Sequence, residues 1–184
     1  DKTFPKSDKV THSKISFHNR YGITLVADLY IPKDSENSKL PAIAVSGPFG
    51  AVKEQSSGLY AQTLVERGFI TIAFDPSYTG ESGGEPRFVA SPDINTEDFC
   101  AAVDYLSTRD DVNSDRIGIL GICGWGGMAL NAAAIDTRIK ATVAVTMYDM
   151  SRVNANGYFD SMDADARYEL RRQLNEQRTE DYRN

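Results

Sequence analysis

The sequence predicts an α/β fold, built as a mostly parallel sheet with flanking helices. Three observations predict it. Short apolar runs alternate with segments of helical spacing, which is typical of parallel strands joined by right-handed crossovers. An alternating segment at residues 10–17 and a second strand-like segment at residues 23–31 precede this region and indicate antiparallel strands. A glycine-rich turn at residues 121–127 then joins an apolar run to a small-residue helix.

The first two strands are predicted to pair in antiparallel fashion at one edge of the sheet. Residues 10–17 alternate in character, and a turn at Tyr21-Gly22 leads to a second strand over residues 23–31 that Pro32 ends. The polar run at residues 33–39 predicts a surface loop.

The following region predicts buried parallel strands with helices between them. Short apolar runs of this kind are typical of strands that are covered on both faces. Helical spacing predicts a helix over residues 57–67, a second that opens at Thr96, and a third from the 121–127 turn to about Ile135. A loop rich in Gly, Ser and Pro connects the second buried strand to the second helix. The four predicted buried strands are residues 41–45, 69–74, 117–122 and 139–145.

Composition and charge exclude several classes of protein. The 184 residues suit one domain or most of a larger one, and the net charge of -6 argues against a nucleic-acid binder, which would need a basic surface. No apolar run approaches the ~20 residues that span a bilayer, so no membrane association is expected. The two cysteines, Cys100 and Cys123, have neither disulfide-framework nor zinc-ligand spacing, and no metal or cofactor is predicted. A reducing, cytoplasmic location is the simplest interpretation, although a secreted protein without its signal peptide would look the same.

The most informative motif is the turn at residues 121–127, which has the layout strand, tight turn, nucleophile, helix. Cys123 stands at its tip as the predicted catalytic nucleophile, and Gly121 leaves room for the bend because it has no Cβ. The N-terminus of the following helix favours thiolate over thiol. The alternative is that Cys123 is a small, buried and inert core residue. Cys100 lies among predicted helix-core positions and is expected to be structural.

Backbone amides near this turn predict an oxyanion hole. The N–H group of Gly124 directly follows the nucleophile and is the first expected donor. The loop at residues 46–51 follows an earlier strand and would supply the second. Pro48 has no N–H group, so Phe49 is the predicted donor. Trp125 stands where a glycine is usual, and we expect either that the helix packs differently or that Trp125 lines the mouth of the pocket.

Three segments together carry a resemblance to a known family: residues 47–55, residues 75–84 and the turn at residues 121–127. The chain resembles α/β-hydrolases, of the branch similar to dienelactone hydrolases, in which a cysteine often occupies the nucleophile elbow. The resemblance covers roughly residues 23–148. It implies an α/β-hydrolase-type sheet, of which about six of eight core strands are found here, with the C-terminal strands missing.

The resemblance also implies an acid and a histidine that follow the nucleophile in the chain. Only His12 and His18 are present, both far upstream, and they are expected to be surface residues of an edge strand. Asp149 follows the sixth strand and is the candidate acid, with a turn or helix cap as the alternative. We therefore expect the histidine to lie outside this chain, in a missing C-terminal segment or a second chain, and this chain alone to be inactive.

The sequence accordingly predicts two regions: a hydrolase core over residues 1–150, and a charged helical segment over residues 151–184. The segment would begin a cap or lead to the missing C-terminal part. A narrow stripe in it, formed by Met162, Ala166, Leu170 and Leu174, predicts an exposed helix with a thin docking face.

The leading hypothesis for function is hydrolysis of a small-molecule acyl substrate, an ester, thioester or lactone, by the Cys123 thiolate. A non-catalytic binding or scaffold module on the same fold is the alternative, because fold alone does not establish activity. A redox sensor based on Cys123 would need Cys100 as its resolving thiol. A homo-oligomer remains open, since an exposed sheet edge invites pairing with another copy.

Overall fold

The computed structural model describes residues 2–34 and 39–184, and it divides into two compact units, Asp1–Tyr148 and Asp149–Asn184. Residues 35–38 of the predicted polar loop lie outside the described part. The strands are β1 (Val10–His18), β2 (Thr24–Pro32), β3 (Leu40–Ser46), β4 (Ile70–Phe74), β5 (Val112–Ile122) and β6 (Ile139–Val145). The helices are α1 (Ser56–Val65), α2 (Pro92–Ser107), α3 (Trp125–Ile135), α4 (Met150–Asn156) and α5 (Ala164–Arg183).

The six strands form one sheet in the order β1-β2-β4-β3-β5-β6. The pairs β1–β2 and β2–β4 are antiparallel, whereas β4–β3, β3–β5 and β5–β6 are parallel. The predicted mostly parallel sheet with an antiparallel edge pair is confirmed. Because β3, β4, β5 and β6 run in one direction, their carboxyl ends meet at one edge of the sheet, where open α/β sheets place their ligands.

The helices cover the two faces of the sheet through separate apolar clusters. One cluster contains Phe99 and Leu106 of α2 and Met128 of α3, packed with strand residues such as Ile72. The other contains Ala61 and Val65 of α1 with residues such as Val45 of β3 and Leu120 of β5. Burial of these side chains holds the strands in register.

The predicted first residues of one helix and one strand are wrong by four and five residues. Helix α2 begins at Pro92 rather than Thr96, because proline is well suited to the first helical position, where its missing N–H group has no partner to lose. Strand β5 begins at Val112 rather than residue 117, because Val112 pairs with Leu40 before a register shift leads into the regular ladder.

The prediction that β6 is a buried strand is also wrong, although its bounds are as predicted. None of its residues is buried among the described part of the chain. The physical reason is its edge position, since β6 pairs only with β5 in this sheet. The residues of β6 are therefore at least partly exposed, although their apolar composition is typical of a covered strand.

A buried lysine joins the loop after β3 to the loop after β4. The side chain of Lys53 is fully buried, and its ammonium group contacts the carboxylates of Glu54 (2.8 Å), Asp75 (3.0 Å) and Glu81 (2.5 Å). The Lys53 amide also donates to Asp75 Oδ1 at 2.7 Å. Burial alone would lower the pKa of Lys53, but these carboxylates raise it well above its usual range. A Cβ at Gly80 would lie 2.2 Å from Asp75 Oδ2, so a glycine is needed where the second loop closes on this cluster.

A second buried carboxylate holds the start of the same loop. Asp98 on α2 accepts hydrogen bonds from the amide of Ser77 (2.8 Å) and from the side-chain amides of Asn19 (2.9 Å) and Asn95 (3.0 Å). Burial raises the pKa of Asp98 above its usual range. The first part of the loop at residues 75–91, which the sequence predicts only as a Gly- and Pro-rich connection, is thus attached to the core.

The second unit is helical in its described residues and contains no buried side chain in α4 or α5. Each helix begins at an aspartate cap: Asp149 accepts from the Arg152 amide at 2.9 Å, and Asp163 accepts from the Ala166 amide at 2.9 Å. Leu170 and Leu174 of the predicted stripe are exposed on α5, whereas Met162 precedes the helix. Across the described residues, no helix combines the length and apolar character needed to cross a bilayer.

The buried lysine generates a stability prediction. Replacing Lys53 with Met leaves the fully buried Asp75 carboxylate without its counter-charge, and we expect the free energy of unfolding to fall by about 3–5 kcal/mol. Lys14→Met is the matched control, because Lys14 pairs with the same Glu81 at the surface, where a salt bridge contributes about 0–1 kcal/mol. Urea denaturation measures both variants. Equal losses for the two would contradict a stabilising role of the buried pair.

Candidate active site

The turn between β5 and α3 places Cys123 in a strained conformation. Its φ angle is 59°, in the left-handed region that few residues other than glycine adopt. The Cys123 amide donates to the Val145 carbonyl oxygen at 2.9 Å, and the Cys123 carbonyl oxygen accepts from the Gly126 amide at 3.0 Å. These hydrogen bonds hold the strained residue at the carboxyl edge of the sheet, and its thiol is half-buried. Strain of this kind concentrates at functional sites.

Three glycines make the turn sterically allowed. A Cβ at Gly121 would lie 2.2 Å from the Trp125 carbonyl oxygen, and one at Gly124 would lie 1.8 Å from Cε2 of Phe49. A Cβ at Gly126 would lie 2.9 Å from the Cβ of Met147. By contrast, a Cβ at Gly127 would meet nothing within 4 Å. As predicted from the sequence, position 121 needs a residue without a Cβ, because the backbone of α3 lies too close for one.

The two amides predicted to stabilise an oxyanion belong to neighbouring residues. The ring of Phe49 packs directly against Gly124, although the two come from loops after different strands. Gly124 is the N-cap residue of α3, so its amide has no partner within the helix. Within the described part of the chain, neither the Gly124 nor the Phe49 amide donates a hydrogen bond. Both are thus available to an incoming acceptor.

Trp125 is 3% exposed, and it fills the space between the elbow and the loop after β3. Its ring centroid lies 5.3 Å from that of Phe49, and a Cβ at Gly47 would lie 2.2 Å from Trp125 Cδ1. Trp125 also lines a cleft of about 520 Å³ together with Phe49 and residues of the loop at 75–91. Trp125 is the first residue of α3.

Tyr148 is a site residue that the sequence analysis missed. The Cys123 thiol donates a hydrogen bond to its hydroxyl oxygen, with 3.9 Å between Sγ and that oxygen. It follows β6, whose last residue, Val145, pairs with Ile122 at the end of β5. Residues just beyond two adjacent parallel strands lie side by side, but no pattern in the sequence marks which two strands are adjacent.

The structure does not bring either histidine to Cys123. Both lie on β1, and β2, β4 and β3 separate that strand from β5. His12 instead contacts Asp28, with 2.9 Å between Nε2 and Oδ1. Cys100 is buried on α2, and desolvation raises the pKa of its thiol to about 11.

Asp149, the candidate acid, is the cap of α4 in the second unit. Its hydrogen bonds with Ser151 and with the Arg152 amide lower the pKa of the carboxyl. Among the described residues, no group of three or more His, Cys, Asp or Glu side chains could hold a metal ion.

Comparison with known proteins identifies relatives that are longer than this chain. The uncharacterized protein PA2218 of Pseudomonas aeruginosa is 66% identical over 181 residues, which are 98% of this chain and 49% of that protein. A thiohydrolase of Aspergillus aculeatus, aneE, is 30% identical over 139 residues, 76% of this chain and 42% of the relative. The chain therefore spans about half the length of the curated relatives that it matches.

Solved structures agree with the observed fold. The crystal structure of the hypothetical protein PA2218 matches with a TM-score of 0.96, covering 100% of this chain and 57% of that one, at 66% identity. The α/β hydrolase GrgF from Penicillium matches with a TM-score of 0.68 at 29% identity, covering 74% of this chain and 46% of its own. The sheet is thus that of an α/β-hydrolase fold. A family model for X-Pro dipeptidyl-peptidase matches residues 21–183, and on that evidence the chain belongs to this hydrolase-type family, the S15 family.

Proposed function

We propose that the protein hydrolyses carboxylic ester, thioester or lactone bonds with Cys123 as its nucleophile. The observation that carries the proposal is the φ angle of 59° at Cys123, at the carboxyl end of β5 and the start of α3. A strained strand-to-helix turn of this kind lifts a nucleophile out of the sheet toward substrate. The membership of a hydrolase-type family supports the general reaction, while the cysteine nucleophile and the likeness to dienelactone hydrolases are part of our proposal.

In the proposed mechanism, a histidine base takes the proton of the Cys123 thiol, and the sulfur forms a bond to the carbonyl carbon. The amides of Gly124 and Phe49 donate to the oxygen, which becomes negatively charged. Collapse of this intermediate breaks the bond to the leaving alcohol or thiol, which takes the proton from the histidine. Water then attacks the thioester on Cys123, releasing the carboxylic acid and restoring the thiol.

We place that histidine outside this chain, in a C-terminal segment of a longer protein or in a second chain. The position of His12 and His18 on β1, at the opposite end of the sheet order from β5 and β6, supports this assignment. Asp149 remains a predicted acid, since its capping hydrogen bonds still leave a carboxylate that a histidine could contact.

An uncovered part of the sheet supports the same assignment. An apolar groove of about 460 Å³ lies on β3, β5 and β6, and Val143 on β6 is 49% exposed. Residues such as Ile43 and Leu120 also line the groove. Exposed apolar patches of this kind mark surfaces that another segment covers. We propose that the segment that brings the histidine also covers this groove.

The thioester is the substrate bond that the comparisons favour. A relative at 30% identity is named a thiohydrolase, and the chain covers 42% of it. A non-catalytic scaffold on this fold is the competing proposal, and the lack of a histidine beside Cys123 among the described residues favours it. A thiol-reactive acyl probe separates the two, because only an activated Cys123 would be acylated.

The nucleophile assignment predicts a large loss of activity. In the chain expressed with the continuation of its reading frame, we expect Cys123→Ala to lower kcat/KM for a p-nitrophenyl ester or thioester by roughly 10³-fold or more, because removing a nucleophile leaves only binding and the oxyanion hole. Cys100→Ala is the matched control and should retain activity. We also expect the 184-residue chain alone to show negligible turnover. Full activity of Cys123→Ala would refute the assignment.

The steric requirement at the elbow gives a second prediction. Gly121→Ala introduces a Cβ 2.2 Å from backbone of α3, so the turn must shift and acylation of Cys123 by the probe should slow at least tenfold. Gly127→Ala meets open space in the same helix and should leave the acylation rate unchanged. Intact-protein mass spectrometry follows both reactions over time. Equal rates for the two variants would show that the turn tolerates the displacement.

The Tyr148 hydroxyl gives a third prediction. At 3.9 Å from Cys123 Sγ it can stabilise the thiolate by a hydrogen bond, and hydrogen bonds to charged groups contribute about 1.5–3 kcal/mol. We expect Tyr148→Phe to lower the rate of acylation about tenfold or more. Tyr158→Phe, an exposed tyrosine of the second unit, serves as the control. An acylation rate of Tyr148→Phe equal to that of the unmodified chain would contradict this role.

A further inference from the structure

The cleft beside the elbow has the lining of a site for an apolar chain. We propose that it binds the unbranched alkyl part of the substrate, so that the substrate class is a neutral, medium-chain acyl compound. The inference deepens the proposed function, since the carbonyl of that compound would stand at Cys123. Binding of the chain itself can be measured without catalysis, and the experiment below uses this separation.

The position of the cleft connects it to the nucleophile. Its walls are the loop after β3 and the loop after β4, which lie at the same edge of the sheet as Cys123. Phe49 belongs to the cleft, and its ring packs against Gly124, the residue after Cys123. Trp125 is shared by the cleft and the elbow. A chain bound along Phe49 would therefore lead to the amides of Phe49 and Gly124.

The chemistry of the cleft favours an apolar occupant. Arg87 is the charged residue among the described residues that line the cleft, and its guanidinium donates to the backbone carbonyls of Gly80 (2.8 Å) and Gly84 (3.4 Å) and to that of Ser82. A charged or hydroxyl-rich ligand would lose water in the cleft with few partners in return, which is costly. An alkyl chain needs no partner. The apolar lining comprises Pro48, Phe49, Val52, Phe88, Val89 and Trp125.

The exposed side chain of Phe88 is a separate observation that supports a bound apolar ligand in the cleft. Its side chain is 86% exposed, at a φ angle of 62°, on the wall of the cleft. The Phe88 amide donates to the Tyr78 carbonyl oxygen at 2.8 Å, so the backbone of the loop holds this ring outward at a defined place. A large aromatic side chain held in water beside an apolar cleft is the kind of surface that a bound apolar group covers.

The size and rigidity of the cleft suit a small ligand. Its volume of about 520 Å³ falls within the range of about 300–1,000 Å³ that is typical of ligand pockets. The contacts of Lys53 with Asp75 and Glu81 join its two walls, and Asp98 holds the start of the second wall. A pocket held in this way needs little reorganisation to bind, which favours affinity.

The single tryptophan of the chain makes the proposal directly testable, because Trp125 lines the cleft. The test is a titration of the 184-residue chain with N-butyl-, N-hexyl- and N-octylacetamide, followed by Trp125 fluorescence. These probes are neutral, and a thiol does not cleave them. Since each buried methylene contributes about 0.8 kcal/mol, Kd should fall about fifteenfold for each pair of added methylenes until the cleft is full. A Kd independent of chain length would overturn the proposal.

Two variants and one further ligand sharpen the test. Val89→Asp places a charge on the wall and should raise the Kd of N-octylacetamide at least tenfold, whereas Leu130→Asp, on a similarly exposed residue of α3, should leave it unchanged. Equal effects of the two would overturn the proposal, as would tighter binding of alanyl-proline amide than of N-octylacetamide, because the cleft would then be a peptide site. Chain-length-dependent binding in a longer protein that hydrolyses no ester or thioester would uphold this inference while refuting the proposed function.

Discussion

The reversal of the chain between β5 and α3 is the constraint on which the site depends. Cys123 can hold a φ angle of 59° only because Gly121 and Gly124 leave space that a Cβ would fill with the Trp125 carbonyl oxygen or the Phe49 ring. Two hydrogen bonds offset the strain of this conformation: the Cys123 amide donates to the Val145 carbonyl oxygen, and the Gly126 amide donates to the Cys123 carbonyl oxygen. A residue strained in this way, beside a helix N-terminus, is positioned before any substrate arrives. This geometry supports our proposal that the Cys123 thiol is the nucleophile.

A buried ion pair fixes the positions of the loops around the turn. Lys53 and Asp75 are both fully buried, and they join the segment that carries Phe49 to the segment that carries Phe88. A buried pair of this kind contributes less to stability than its distance suggests, since both ions lose their water, but it strongly disfavours any arrangement that separates them. The pair therefore favours one relative position of the two loops. The cleft beside Cys123 takes its shape from that pair and from the buried carboxylate of Asp98.

The proposed site combines the Cys123 thiol, the amides of Gly124 and Phe49 and the Tyr148 hydroxyl, and the described residues place no histidine beside them. This agrees with a chain that spans about half the length of the relatives it matches and with an apolar groove that stands uncovered on β3, β5 and β6. A triad assembled from distant parts of a fold has a physical advantage, because the strands position each member independently. These observations support our proposal that a histidine outside this chain completes the site.

The amino-acid sequence alone was enough to predict the α/β class, the antiparallel edge pair, five of the strand positions to within a few residues and the turn at Cys123. These features depend on local periodicity and on glycines at particular positions. It could not predict the exposure of β6, which depends on what lies beside the strand rather than on its composition. It also missed Tyr148, because no local pattern marks a residue whose importance comes from the pairing of β6 with β5. The contact of Phe49 with Gly124 and the burial of Lys53 were likewise decided by tertiary structure, since each joins loops that follow different strands and meet only when the sheet has formed.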